Sequence, residues 1–370
     1  MSGLIVHEWV ASAGGSENVV DQFVRTFPDA DLQVLWTDDP DRYPVKTYET
    51  WLARTPLRRS KALSLPFLPA TWRSVKAHRN YDWILASSHL FAHHVRPRGV
   101  DANAPKFSYI HTPARYIWEP DLDHRGSNAL VRFAGSAFKP IDKRRAQESV
   151  RMAANSEFTR ERIGRVWDRD ADVIYPPVDT DRIIAGGDWR DHLSGEELTQ
   201  LESLPDDFLL GASRFVSYKR LDLVIEAGEA TGTPVVLAGR GPDYESLKAR
   251  ADVANVPVSF VISPSDALLY ALYQRARVLI FPAIEDFGIM PVEAMAAGTP
   301  VVVPTVGGAV ESVSAAAGGV TIELPARRWR EAIDETSRLD LNNLALRASL
   351  FSTTRFRNEM ANWVRTGSTR

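Results

Sequence analysis

Short apolar, strand-forming runs alternate with helix-patterned segments along this whole sequence, and the alternation is completed twice. That restricts the chain to βαβ units on parallel sheets, an α/β fold, because strands that read as near-continuous apolar runs must be covered on both faces. In the first half the expected strands are Leu4 to Trp9, Leu32 to Thr37, Trp83 to Ser87, Phe107 to His111, Met152 to Asn155 and Asp172 to Tyr175. In the second they are Phe208 to Ala212, Val235 to Ala238, Val258 to Ile262, Val278 to Phe281, Val301 to Pro304 and Val320 to Leu324. A length of 370 residues suits two such domains. Pro176, Pro177, Gly186 and Gly187 punctuate the stretch from Tyr175 to Asp191. The predicted division is therefore 1–180, 181–354 and a terminal helix, 355–370. Phe356, Met360 and Trp363 lie at helical spacing on that helix, which is expected to pack back on the first domain.

Several chemistries are excluded at once. The chain has no cysteine, so a disulfide framework, a thiol nucleophile and a Cys-ligated zinc site are impossible. Met1 to Trp9 lacks a basic region and a small-residue cleavage site, and reads as a first strand rather than a signal peptide. No window approaches the roughly 18 to 20 consecutive apolar residues needed to cross a bilayer, so the expectation is a cytoplasmic protein whose membrane contact, where it has any, is peripheral on the inner face of the cytoplasmic membrane.

The strand-to-helix loops carry the chemistry. Glu285 and Glu293 flank the start of a helix that contains Pro291 in its first turn and stops at Gly298. Both carboxylates can therefore face the C-terminal edge of a parallel sheet, where open α/β folds bind ligands, beside the N–H groups of Phe287, Gly288 and Ile289. This suits a polyhydroxylated, phosphorylated ligand; alternatively Glu293 serves the helix dipole and Glu285 is a solvated loop residue. Arg214 and Lys219 share the loop after the first strand of the second half, where two fixed cations can neutralise a departing diphosphate without a metal; solvated loop cations are the plainer reading. Gly14, Gly15, Ser16 and Glu17 open the first helix, with Ser16 as expected N-cap, in a pattern that is neither a dinucleotide fingerprint nor a P-loop. His111, at the end of a strand, can bind a sugar hydroxyl, carry a proton or be structural. His89, His93 and His94 show no third ligand by spacing, so no metal site is expected. The D-x-D triplets at Asp121/Asp123 and Asp179/Asp181 are taken as structural.

Jointly these residues resemble the family 4 retaining glycosyltransferases of the GT-B fold, two Rossmann-like domains facing across a cleft. The resemblance rests on Val6 to Trp9 with Gly14 and Gly15, Asn155-Ser156, Tyr175 to Asp179, the Arg214/Lys219 loop, Gly239 to Pro242, the Glu285/Glu293 pair, and Gly307-Gly308 with Glu311. It implies that Glu293 binds the donor ribose, and that Glu285 with the backbone of Phe287, Gly288 and Ile289 binds the transferred sugar. Arg214 and Lys219, approached by Gly15, would bind the diphosphate, and His111 would contact the sugar near the reaction centre. The run from His111 to Trp118 is similar to one in mannosyltransferases of bacterial surface polysaccharide assembly. It implies GDP-mannose as donor, with a UDP-sugar as the alternative and no metal or further cofactor. Phe260 to Pro264 departs from the family, which usually has a glycine after this strand near the nucleobase.

The formal net charge of −3 hides a basic stretch: Arg54, Arg58, Arg59, Lys61, Arg73, Lys76 and Arg79 occur between Trp51 and Asn80 with no acidic residue. Interleaved with Leu57, Leu63, Leu65, Phe67, Leu68 and Trp72, it fits a glycan or lipid-linked acceptor on an anionic membrane, or a solvated basic face. The rest of the chain is mildly acidic, which disfavours nucleic acid as a partner. Two competing functions remain: an NAD-dependent oxidoreductase, opposed by the missing G-x-G-x-x-G, and a non-catalytic nucleotide- or lipid-binding scaffold, opposed by the presence of Glu285 and Lys219.

Overall fold

A computed structural model describes residues 2–11, 14–119, 129–325 and 328–368, so Asp121 and Asp123 lie outside the described residues. The chain divides into two compact units, one formed by Met1–Pro177 with Thr354–Arg370 and the other by Val178–Thr353. The first holds β1 (Gly3–Val10), β2 (Asp31–Thr37), β3 (Thr47–Glu49), β4 (Trp83–Ser88), β5 (Lys106–Ile110), β6 (Arg151–Ala154) and β7 (Asp172–Val173). They form a parallel sheet in the order β3-β2-β1-β4-β5-β6-β7. The second holds β8 (Leu209–Ala212), β9 (Val235–Gly239), β10 (Val258–Ile262), β11 (Val278–Ile280), β12 (Val301–Pro304) and β13 (Gly319–Ile322), parallel in the order β10-β9-β8-β11-β12-β13. Winding reverses beside β1 in one sheet and beside β8 in the other, and at such a switch point the loops diverge and leave a crevice.

Both units are the α/β folds that the alternation predicts, and among the described residues β3 is the one strand it does not reveal. Thr47 to Glu49 is only three residues long, too short to carry a pattern, and holds the sheet edge through the Leu32–Thr47 register. Burial alternates as two-sided coverage requires. Ile5, Leu32, Leu85 and Tyr109 face one layer with Val19, Val20 and Phe23 of the helix Gly15–Thr26. Leu4, Val6, Leu35 and Ile84 face the other, with Leu52, Leu68, Trp72 and Phe91. In the second unit Leu209, Leu237, Ile280 and Val302 pack against Val224, Trp329 and Ile333.

The terminal helix Thr353–Ser368 returns to the first unit, where Phe356, Met360, Trp363 and Val364 complete its core. Phe356 is fully buried, stacked on Phe23 with ring centroids 5.6 Å apart and edge-on to Tyr109 at 5.7 Å. Arg355 ties the start of this helix to the carbonyl of Tyr175 at 2.7 Å. The helix is thus part of the first unit's core. Phe356→Ala should cost about 3–5 kcal/mol through lost transfer energy and a residual cavity. Chemical denaturation should show the first unit's transition moving to lower denaturant; an unmoved midpoint would remove the helix from that core.

Candidate functional site

In the second unit the loop after β8 is fixed by the loop after β9. Phe215 donates its N–H to the Arg240 carbonyl at 2.8 Å, and Asp243 donates to the Phe215 carbonyl at 3.0 Å. Gly239 has φ +144°, and a Cβ there would lie 1.8 Å from the Ser213 carbonyl oxygen, so only glycine permits this approach. The loop so held carries Arg214, exposed and bonded to the Tyr218 hydroxyl at 3.0 Å, and Lys219, only 7% exposed.

The loop after β11 leads through Glu285 and Phe287 to Gly288, whose φ of +92° caps the helix Ile289–Ala296. Gly308 donates to the Glu285 carbonyl at 2.8 Å, which fixes the backbone from below. Phe287 is buried against Phe351, ring centroids 5.6 Å apart. These two loops flank the switch point between β8 and β11, and across it Lys219 Nζ donates to Glu285 Oε1. Lys219 also lies over the Phe281 ring at 5.4 Å. The two residues are 66 apart in sequence; the fold makes them one ion pair.

Glu293, in the first turn of the helix Ile289–Ala296, is partly buried and accepts from the Tyr273 hydroxyl at 3.3 Å. Burial pushes its carboxyl up to about 7, with nearby Asp266 adding to the rise and the Tyr273 bond opposing it. Ser263, where the family's usual glycine is missing, adopts φ +52° and donates its N–H to the Gly239 carbonyl at 3.1 Å. Serine here takes the left-handed conformation that glycine would supply without strain. Asp179 is the N-cap residue of the helix Thr180–Ala185 and Asp181 lies in its first turn, where carboxylates suit the helix dipole.

In the first unit, Gly14 rather than Ser16 is the N-cap of the helix Gly15–Thr26. Ser16 lies inside the first turn and donates to Glu17 Oε2 at 2.8 Å, while Glu17 Oε1 accepts from the Ala11 N–H at 3.3 Å. Neither contact reaches a free N–H of the helix's first turn, which has no side-chain cap. His111 follows β5 rather than ending it, and its Nε2 lies 2.8 Å from Ser87 Oγ. Burial, with His89 and His7 adding repulsion, holds its pKa well below 6.5, so the ring is neutral.

Sequence spacing missed two clusters here. His93 and His94 do meet a third group, the fully buried Asp142 of the helix Ala129–Ala146. Its Oδ1 lies 2.8 Å from His94 Nε2 and 3.1 Å from His93 Nε2, while Oδ2 accepts from the indoles of Trp118 and Trp167 at 2.7 Å each. A buried carboxylate ringed by N–H groups is a satisfied structural anion. The second cluster joins His7, Glu8 and His89 at the β1/β4 switch point.

The basic stretch is a string of short helical turns whose members separate by role. Arg73 points to Glu148 at 2.8 Å, Arg79 to Asp31 at 2.9 Å and Arg58 to Asp38 at 3.0 Å, so these three are ion-paired. Leu68 and Trp72 are fully buried in the core, because the turns need anchors, and do not reach the surface. Arg54, Arg59, Lys61 and Lys76 are exposed, with Lys61 4.2 Å from the Trp9 ring centre. Beside them Trp51, Leu63 and Phe67 are 48%, 66% and 45% exposed, with the Trp51 and Phe67 rings in edge contact. Among the described residues no helix is long and apolar enough to cross a membrane.

Known proteins match both units. The family model of glycosyltransferase family 4 matches residues 13–182, and that of the glycosyl transferases group 1 matches residues 198–348. The α-1,3/1,6-mannosyltransferase ALG2 of Saccharomyces cerevisiae is 30% identical over 168 residues, covering 42% of this chain and 29% of that protein. The D-inositol 3-phosphate glycosyltransferase of Mycobacterium avium is 27% identical over 217 residues, covering 53% and 50%. The chain spans half or less of the length of these curated relatives. Among solved structures, Alr3699/HepE of Anabaena in complex with UDP superposes with a TM-score of 0.70 at 18% identity, over 99% of this chain and 100% of that one. Sucrose-phosphate synthase from Thermosynechococcus elongatus gives 0.71 at 18%, over 99% and 98%. At such identities the likeness is one of fold. With its first unit matched by the one model and its second by the other, the chain belongs to the family 4 glycosyltransferases and has their GT-B fold.

Proposed function

We propose that this protein transfers a hexose, mannose in the first instance, from a nucleoside-diphosphate sugar to a hydroxyl of a glycan or lipid-linked acceptor, with retention of configuration and without a metal. The observation that carries this reading is the Lys219–Glu285 ion pair at the β8/β11 switch point, with Glu293 beside it on the helix start. Breaking the sugar–phosphate bond leaves charge on the departing diphosphate. Lys219 and Arg214 neutralise that charge as it develops, the term for which preorganised cations are most effective. When the donor enters, Lys219 exchanges Glu285 for phosphate and Glu285 exchanges Lys219 for sugar hydroxyls, so no buried charge is left unpaired. The backbone of Phe287, Gly288 and Ile289 lines the sugar, Gly15 approaches the diphosphate, Glu293 accepts from the ribose hydroxyls and His111 contacts the sugar. A UDP-sugar is the second reading, favoured by Alr3699/HepE, which has been solved with UDP and with UDP-glucose.

Binding separates the two donors. In thermal melts with EDTA present, a GDP-selective shift is expected; a ligand at 100 times its Kd stabilises by about 2.7 kcal/mol. A shift with UDP alone changes the sugar class, and a shift with NADH alone would overturn the transferase reading. Lys219→Ala should lower the transfer rate by about 2–4 kcal/mol of transition-state stabilisation, and unchanged turnover would remove Lys219 from the site.

The two glutamates differ in their expected effects. Glu285→Gln should impair transfer more than donor binding, and Glu293→Gln the reverse. A carboxyl whose folded pKa is raised to about 7 from an ordinary 4.5 favours the folded state while protonated. That contribution is fully present below the ordinary value and is lost as pH rises through about 7. Glu293→Gln should therefore raise the melting temperature of the ligand-free protein at pH 8, by about 3 °C, and leave it nearly unchanged below about pH 4. Donor affinity in the parent protein should weaken as pH falls through 7, where ribose must compete with a proton, and that dependence should flatten in Glu293→Gln. A Glu285→Gln that weakens donor binding more than transfer, with a Glu293→Gln that does the opposite, would overturn the two roles.

The reading extends to a membrane surface on which a lipid-linked acceptor would lie. Trp51, Leu63 and Phe67 enter the interface while Arg54, Arg59, Lys61 and Lys76 face anionic headgroups, at about 1 kcal/mol per basic residue. Arg54→Glu with Arg59→Glu and Phe67→Ser should abolish cosedimentation with phosphatidylglycerol vesicles while the melting temperature holds. Undiminished binding would return this face to ordinary solvated surface.

A further inference from the structure

Tyr273, in the helix Asp266–Arg275, grips the helix Ile289–Ala296 near its start and just past its end. At the start, the Tyr273 hydroxyl donates to Glu293 Oε2 at 3.3 Å. Past the end, the chain turns at Gly298, with φ +94°, and Thr299 donates its hydroxyl to the Tyr273 carbonyl. Thr299 is tied to the same helix by its own N–H, which donates to the Ala294 carbonyl at 2.9 Å. The side chain and the backbone of one residue thus fix both a carboxylate and the helix that carries it.

The tyrosine itself is enclosed. It is fully buried, and its ring lies nearly parallel to that of Tyr270, with centroids 6.4 Å apart. Burial, with Glu293 and Tyr270 adding to the effect, pushes the Tyr273 phenol well above 10, so it keeps the hydrogen it gives to Glu293. That bond divides the carboxylate. Oε2 is engaged by Tyr273, and among the described residues no protein donor is bonded to Oε1, which leaves Oε1 to a ligand hydroxyl. Of the groups around Glu293, Asp266 opposes its ionisation, and burial keeps Tyr270 neutral. The helix Thr180–Ala185 brings Asp181 and Arg182, and Arg182 pairs with Asp266 at 3.3 Å. The helix Ala309–Ala316 brings Glu311, and Leu344–Ala348 brings Arg347, which is bonded to the Ala316 and Asp340 carbonyls. Among the described residues, Tyr273 is the side chain whose hydrogen bond favours the ionised Glu293.

We propose that Tyr273 is the positioning residue of the donor site: its hydroxyl holds Glu293 Oε2 so that Oε1 meets the ribose hydroxyls, and its carbonyl, through Thr299, sets the helix beneath. The proposal rests on the ribose role given to Glu293 above and adds the residue through which the fold controls it. Tyr273 touches no part of the donor. A ribose hydroxyl gives its hydrogen to a carboxylate more readily than to a carboxylic acid, so the tyrosine acts on affinity by keeping that acceptor ionised.

The test is the pH profile of donor affinity, measured on the full-length protein with whichever of GDP-mannose and UDP-glucose binds. In the parent, affinity should rise with pH through a midpoint at about 7. Tyr273→Phe removes only a hydroxyl. Without that donor the carboxyl holds its proton to higher pH, so the midpoint should move up by about one unit, with affinity about fivefold weaker at pH 7 and most of the loss recovered at pH 9. The 13C shift of the Glu293 carboxyl in the ligand-free protein should show the same displacement. With 3-fluorotyrosine placed at Tyr273, a stronger donor of nearly the same size, the midpoint should move down. A midpoint unmoved by either change, or an affinity loss equal at every pH, overturns the proposal alone. A parent protein whose Glu293 titrates near 7 while donor affinity stays flat removes the ribose role of Glu293 instead, and the proposal with it.

Discussion

A parallel sheet covered on both faces has nowhere to put a charge except at the ends of its strands, and this constraint organises both units. Leu4, Ile5, Leu209 and Leu237 are buried whichever way they point, so polar side chains collect where the strands stop. At the switch points beside β1 and β8 neighbouring loops part and leave a crevice beside the groups collected there. Lys219 and Glu285 occupy one such point; His89 and His111 occupy the other.

The two sheets solve the same problem differently. The second uses glycine: Gly239 lets two loops pass within the distance a Cβ would fill, and Gly288 turns the chain so that a helix start faces the edge. The first uses buried polar networks. Glu8, Asp142 and Lys106 are all fully buried, and each is bonded at several points: Lys106 to the carbonyl of His93 at 2.8 Å and to Glu148 at 3.4 Å. Burial pushes the Lys106 amine down to about 7, with Glu148 opposing the fall. A group so enclosed tolerates no loose geometry, because an unmatched hydrogen bond in a dry interior costs about 1–3 kcal/mol. The network therefore fixes ring orientations as firmly as packing fixes a leucine.

How much of this was legible in the sequence follows from range. The strands could be read because two-sided burial writes itself as apolar runs, and among the described residues only Thr47–Glu49 was too short to do so. The Glu285 to Glu293 segment could be read because strand, loop, cap and helix are contiguous, and Pro291 and Gly298 mark the helix from within. The histidine clusters could not. Asp142 lies 48 residues from His94, and Glu8 lies 81 from His89, and no local period links positions so far apart. The basic stretch could be read only as a run of charge. Its arginines look alike in sequence, but Glu148 and Asp31, supplied by distant elements, pair with Arg73 and Arg79.

The Lys219–Glu285 pair shows why a site of this kind holds its shape without ligand. A lysine only 7% exposed and unpaired would be an uncompensated buried charge. Glu285 supplies the countercharge from the facing loop, so that the ion pair joins the two loops across the gap between β8 and β11. On the proposed reading, a phosphorylated, hydroxylated ligand would give each partner a substitute of the right kind, an anion for Lys219 and hydroxyl donors for Glu285.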